Sequence, residues 1–150
     1  VVRKAAEALK EFGIPFEMRV LSAHRSPREV ADFARNARDN GFGVIIAAAG
    51  MAAHLAGAIA GNTTLPVIAI PVKAKALEGV DALLSSVMMP PGVPVATVGI
   101  DAAANAGYLA AEILAVSDAD LADKLLAFKK KQNEKTLAAD AKMQEMAKEI

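Results

Sequence analysis

The stretch Val44-Ile45-Ile46-Ala47-Ala48-Ala49-Gly50, together with the residues from there to Val72, decides the fold. No Lys, Arg, Asp or Glu occurs between Val44 and Val72. Gly43 to Ala48 is a continuous apolar run, the pattern of a strand covered on both faces, and Pro66 to Ile70 repeats it. Between them, Gly50 marks a loop and Ala52 to Gly61 reads as an Ala-rich helix. Strand, helix, strand in that order requires parallel strands joined by a right-handed crossover. Length alone would let the run span a membrane. Its composition argues against that: Gly50, Gly57, Gly61, Asn62, Pro66, Pro71 and His54 interrupt it, and Ala and Gly contribute little to insertion.

Working outward, residues 1–13 read as a helix with Ala5, Ala6, Leu9 and Phe12 at helical spacing and Gly13 as its stop. Phe16 to Leu21 alternates apolar and polar residues and is predicted to be a strand. Ser22-Ala23-His24-Arg25 is then a loop. Ser26-Pro27-Arg28-Glu29 reads as a capping box with proline at the first helical position, and Val30, Phe33, Ala34 and Ala37 form the buried stripe. Beyond Val72 the pattern predicts a loop to Glu78, a helix Val80–Val87, a strand Pro94–Gly99, a helix Ala102–Val116 and a start signal at Ser117-Asp118. A long polar helix runs from there to the end. Strands alternate with helices throughout, so the expected fold class is α/β with a doubly wound parallel sheet in three layers. One domain is expected over 1–150, with 129–150 a helical tail whose acids nearly offset its lysines.

Composition narrows the function. The chain has 150 residues, 54% of them hydrophobic, and 17 Lys+Arg balance 17 Asp+Glu. That balance leaves no electrostatic footprint for nucleic acid. The absence of Cys excludes disulfides, thiolate metal sites and a Cys nucleophile, and two His exclude a three-His zinc site. A charged, helical N-terminus is unlike a signal peptide, so the cytoplasm is the expected compartment. The high apolar content predicts further surface buried in an oligomer.

In open parallel sheets ligands bind beyond the carboxyl ends of the strands. Both histidines fall there: His24 after one strand, His54 after the next. Histidine suits proton transfer near neutral pH; a single loop histidine is more often a cap or a satisfied core group, but two of two at this edge bring the readings level. Arg25 stands just before a helix N-terminus, where anions are favoured, and Ser22 adds a hydroxyl. Gly50 would allow close backbone approach. Lys73 and Lys75 come after a strand and could meet an anion or simply be solvated. No Walker, dinucleotide or nucleophile-elbow motif occurs. The residues themselves thus point to an anionic small molecule and acid–base work by His24, and leave the substrate open.

Four strings then carry a resemblance: Ser22-Ala23-His24-Arg25-Ser26-Pro27, Gly50-Met51-Ala52-Ala53-His54-Leu55, Pro71-Val72-Lys73-Ala74-Lys75-Ala76-Leu77, and Met89-Pro90-Pro91-Gly92-Val93-Pro94-Val95-Ala96-Thr97-Val98. Together, over residues 1 to about 128, they resemble the catalytic subunit of phosphoribosylaminoimidazole carboxylase, the PurE family. The resemblance implies a flavodoxin-like fold and a step of purine biosynthesis. That step is the conversion of N5-carboxyaminoimidazole ribonucleotide to 4-carboxy-5-aminoimidazole ribonucleotide, without metal or organic cofactor. His24 would be the general acid–base; Ser22, Ala23, Arg25, Ala49, Gly50, Met51, His54 and Leu55 would bind the ribonucleotide, Arg25 at its phosphate. A homo-octamer is implied, with no nucleic-acid or membrane partner. The alternatives are direct carboxylation of aminoimidazole ribonucleotide, which the Ala-Ala-His-Leu string disfavours, and a non-catalytic nucleotide-binding homologue. A phosphoreceiver domain would need acidic residues clustered at strand ends. Many relatives have Gly where Met51 stands, Pro at Ala56 and Gln at Met88. Family members also begin with a strand and a Ser- and Asp-bearing phosphate loop. The resemblance therefore implies roughly 15 further N-terminal residues in the natural protein, forming a middle strand of usual length with its loop.

Overall fold

The computed structural model describes residues 1–148. Its elements are α1 (Arg3–Glu11), α2 (Pro27–Asn36), β1 (Ile45–Gly50), α3 (Leu55–Ala60), β2 (Val67–Val72), α4 (Val80–Val87), β3 (Ala96–Thr97), α5 (Ala103–Ala115) and α6 (Ala119–Ala147). The strands form one parallel sheet in the order β1-β2-β3. Ile45 pairs with Val67, and the register runs without a break to Gly50 against Val72. β2 is central, and Val67 to Pro71 are all buried, as the unbroken apolar run requires.

The sheet is covered on both faces, which gives the expected three layers. On one side Val30, Ala34 and Ala37 of the α2 region and Ala56 and Ile59 of α3 pack against Ile45, Ala47, Val67 and Ala69. On the other, Ala5 and Leu9 of α1 and Ala103, Ala106 and Ala110 of α5 pack against Ile68 and Ile70. The two sets of strand residues alternate, as the pleat dictates. A third cluster, Phe12, Ala111, Leu121 and Leu125, anchors the start of α6, where Asp118 caps the helix by accepting a hydrogen bond from Leu121 N–H at 2.9 Å. Tyr108 packs beside Phe12 and Phe128, and burial, then the Glu11 carboxylate, pushes its phenol above its ordinary pKa. Among the described residues no helix is long and apolar enough to cross a membrane.

Four sequence expectations are corrected. Phe16 to Leu21 forms no strand. Glu17 and Arg19 do lie on one side, paired at 2.6 Å, as residues two apart in a strand would. A strand needs a backbone partner, however, and a slot of about 600 Å3 intervenes, lined by Ile14 to Leu21 on one side and Val44 to Ala48 on the other. β1 is accordingly an edge, and Ile46 and Ala48 are only half-buried. Second, the capping box at Ser26 does not form; the Ser26 hydroxyl turns back to Ser22 instead. Third, the strand expected over Pro94–Gly99 is only Ala96–Thr97, and fourth, the Ala52–Gly61 helix starts at Leu55. The expected tail helix is continuous through Ala147; its last residues, 149–150, lie outside the described residues.

The α1–α5 crossing depends on Gly107. A Cβ there would come within 2.7 Å of both the Ala5 carbonyl oxygen and the Ala8 Cβ, so the helices would have to separate. Gly107→Ala is expected to destabilise the fold by about 1–3 kcal/mol through overpacking, despite alanine's better helix propensity. A urea midpoint shifted downward at unchanged slope would check it.

Candidate active site

The carboxyl ends of β1 and β2 set the site. Ala49 and Gly50 finish β1 opposite Pro71 and Val72. A Cβ on Gly50 would sit 3.1 Å from the Val72 carbonyl oxygen, so glycine here serves the approach of the two strands to each other. The chain then turns at Met51, a non-glycine residue at φ +54° whose side chain is 63% exposed. That backbone costs an L-residue about 1–2 kcal/mol. Ala52-Ala53 carries the chain round to His54, which stands at the N-cap of α3, and Leu55 packs against the core beneath.

Ser85, on the inner side of α4, holds this loop in place. Its hydroxyl accepts a hydrogen bond from Ala53 N–H at 3.0 Å and donates to the Ala82 carbonyl at 3.2 Å. Sequence reading missed Ser85. The signal in the sequence was a pair of adjacent hydroxyls, Ser85-Ser86, following the apolar Ala82-Leu83-Leu84.

The second loop is tied by its own serines. Ser22 N–H donates to Ser26 Oγ at 2.9 Å, Ser26 Oγ donates to the Ser22 carbonyl at 3.1 Å, and Arg25 N–H donates to Ser22 Oγ at 3.3 Å. Ser22 and Ala23 are half-buried, while His24 and Arg25 are exposed. Ser22 thus shapes the turn that presents His24 and Arg25 outward, just ahead of α2.

The two loops meet through their histidines. His24 Nε2 lies 2.9 Å from His54 Nδ1, with ring centroids 5.0 Å apart and planes at 76°. Residues 30 apart in sequence, each expected at a strand end, are therefore one constellation. A hydrogen-bonded pair of imidazoles is presented to solvent, with the Arg25 cation next to it in sequence and Gly50 to Ala53 as a wall without charged side chains. The chemistry on offer is proton transfer to an anionic molecule. Lys73 is held elsewhere: its ammonium pairs with Glu78, and its N–H donates to Asp101 Oδ1 at 3.1 Å. The slot beside β1 is not this site, since neither histidine lines it.

Comparison with known proteins places this geometry. The family model described as AIR carboxylase matches residues 1–135. The N5-carboxyaminoimidazole ribonucleotide mutase of Methanocaldococcus jannaschii is 54% identical over 148 residues, covering 99% of this chain and 92% of its own. The protein of the same name from Mycobacterium leprae is 54% identical over 144 residues, covering 96% and 84%. Among solved structures, Treponema denticola PurE superposes with a TM-score of 0.83 at 29% identity, covering 93% of this chain and 87% of that one.

Ser85→Ala is expected to release the Gly50–His54 loop and to cost about 1 kcal/mol of stability, the usual net worth of one such bond. Faster amide exchange at Ala53 and His54, with the α1 and α5 amides unchanged, would check it.

Proposed function

This chain belongs to the AIR carboxylase family, and from that premise we propose that it is an N5-carboxyaminoimidazole ribonucleotide mutase of purine biosynthesis, with His24 as its general acid–base. What carries the reading is an exposed His24 brought to the carboxyl ends of the strands, beside Arg25 and against the Gly50–His54 loop, in a chain whose near-full-length relatives bear the mutase's name.

The reaction moves a carboxylate from an exocyclic nitrogen to a ring carbon. His24, as the imidazolium, gives a proton to the nitrogen as the nitrogen–carboxylate bond breaks and carbon dioxide leaves. The ring carbon then attacks the carbon dioxide, and neutral His24 takes the displaced ring proton, which restores the imidazolium. One side chain serves both steps because one proton goes out and one comes back. Arg25 binds the phosphate by charge-assisted hydrogen bonds. Ser22 and Ala23 form the floor of the phosphate turn, and Ala49, Gly50, Met51, His54 and Leu55 line the side where the base and carbon dioxide lie. The substrates are water-soluble anions, and a cytoplasmic enzyme suits them.

Assembly belongs to the same proposal. Val80, Leu84 and Val87 repeat at helical spacing on α4 and are 48–54% exposed, with Leu77 and Met88 alongside at 58% and 78%. Such a stripe, close to the loop that Ser85 holds, suits contact with further copies in a homo-octamer. Light scattering at micromolar concentration is expected to give a mass of about eight chains, each contact hiding on the order of 800 Å2 per partner. A monomer mass would overturn this.

The activity test supplies each ribonucleotide without ATP. Conversion of the N-carboxylated substrate is expected with or without bicarbonate; conversion of only the uncarboxylated one with bicarbonate would make the chain a direct carboxylase. His24→Asn is expected to lower kcat by about 10²–10⁴-fold, because an amide keeps the shape but moves no proton. Arg25→Ala is expected to raise KM before it lowers kcat. An Asn variant retaining more than about a tenth of wild-type turnover, well inside that range, would remove His24 from the role.

A further inference from the structure

The contact between the two imidazoles constrains where the proton sits. At 2.9 Å, one nitrogen must donate and the other accept. If His24 donates from Nε2, then Nδ1 of His54 is bare and its hydrogen is on Nε2, so both neutral rings hold the tautomer that free imidazole side chains prefer. The reverse assignment forces both rings into the less favoured Nδ1–H form. Two imidazolium rings would set two N–H groups and two like charges against each other.

We propose that His54 is the positioning residue for His24: its Nδ1 accepts the His24 Nε2–H, fixing the ring and leaving Nδ1 of His24 as the atom that gives and takes the proton. This rests on the reading of His24 as proton carrier. When His24 is the imidazolium, the same bond becomes charge-assisted and stronger. The Nε2–H stays with His54, so the proton given to the substrate nitrogen is the one on Nδ1, and the neutral His24 left behind is the Nε2–H tautomer that His54 holds. Its bare Nδ1 then takes the proton from the ring carbon, which restores the imidazolium. His54 stays neutral, with its hydrogen on Nε2, throughout, so protons balance over the cycle. The surroundings leave this assignment to the pair. Arg25 is the charged side chain next to His24 in its turn, the Gly50–His54 loop carries no charge besides His54, and α4 reaches that loop through the uncharged Ser85.

Because the chain has only two histidines, imidazole nitrogen NMR resolves the pair without ambiguity. At alkaline pH, where both rings are neutral, the wild type is expected to show Nε2–H tautomers for both. His54→Phe keeps the ring shape without an acceptor; His54→Asn puts an amide oxygen near the place of Nδ1. The Phe variant is expected to lose about 10- to 100-fold in kcat, the worth of one hydrogen bond to a charged group, with KM changed much less. In it, the His24 signals should move toward a mixture of tautomers. The Asn variant should recover the greater part of both the turnover and the tautomer. Full turnover in the Phe variant, an Asn variant no better than Phe, or an unchanged His24 tautomer in the Phe variant would each overturn the proposal. Should the wild type convert no N5-carboxyaminoimidazole ribonucleotide, the mutase reading falls while the tautomer measurement still decides the pairing.

Discussion

The unbroken register between β1 and β2 is the constraint on which the site depends. Six pairs, from Ile45 with Val67 to Gly50 with Val72, bring the two strands to an end together. A slip of one residue would invert every side chain on the slipped strand and exchange the contents of two cores. It would also shift the start of the Met51–His54 loop by roughly 3 Å, the rise of a strand residue. The histidine contact has no such tolerance, since a hydrogen bond weakens over a few tenths of an ångström. Packing against α2 and α3 on one face and α1 and α5 on the other thus fixes a distance at the sheet's edge to which neither face contributes a side chain.

The division of labour comes from residue size. The helices facing the sheet present mostly alanine, with Ala34, Ala37, Ala103, Ala106 and Ala111 fully buried and Gly107 at the α1–α5 crossing. Small residues lower the side-chain entropy lost on burial and let backbones approach closely. They also contribute less transfer energy each than a leucine, so this core relies on closeness of fit more than on bulk. Polar groups are then free for the two loops, where serines do the fastening: Ser85 to Ala53, and Ser22 with Ser26 across one turn.

Most of the architecture was legible because it is written in local patterns. The strand beginning after Pro66 and the helix Val80–Val87 declare themselves by period and punctuation, and the placing of His54 beyond the end of β1 comes from strand order alone. What was illegible depends on a second partner. Phe16–Leu21 has the alternation of a strand, but strand formation is a property of a pair, and the neighbouring backbone is a slot's width away. Ser26 has the sequence of a helix cap, yet its one hydroxyl found two bonds at Ser22 in place of one at the helix. His24 and His54 could each be singled out as reactive; their contact came from the meeting of two loops. Ser85 was invisible because a serine inside a helix reads as ordinary until something docks on it.

α6 carries an implication of its own. Leu121 and Leu125 are its only fully buried residues, and every residue from Lys129 to Lys148 is exposed. At about 1.5 Å per residue, the stretch beyond Phe128 extends roughly 28 Å past its last anchor. A lone helix of that length in water is close to its melting point, because nucleation is costly and little besides backbone bonds sustains it. Yet Leu137, Met143 and Met146 are 59%, 64% and 59% exposed along it, which is apolar area without a use in a solitary chain. The order of this arm is therefore tied to what it touches. Whatever packs on that area sustains the helix as well as covering the side chains, so that docking on the arm and winding of the arm are one equilibrium.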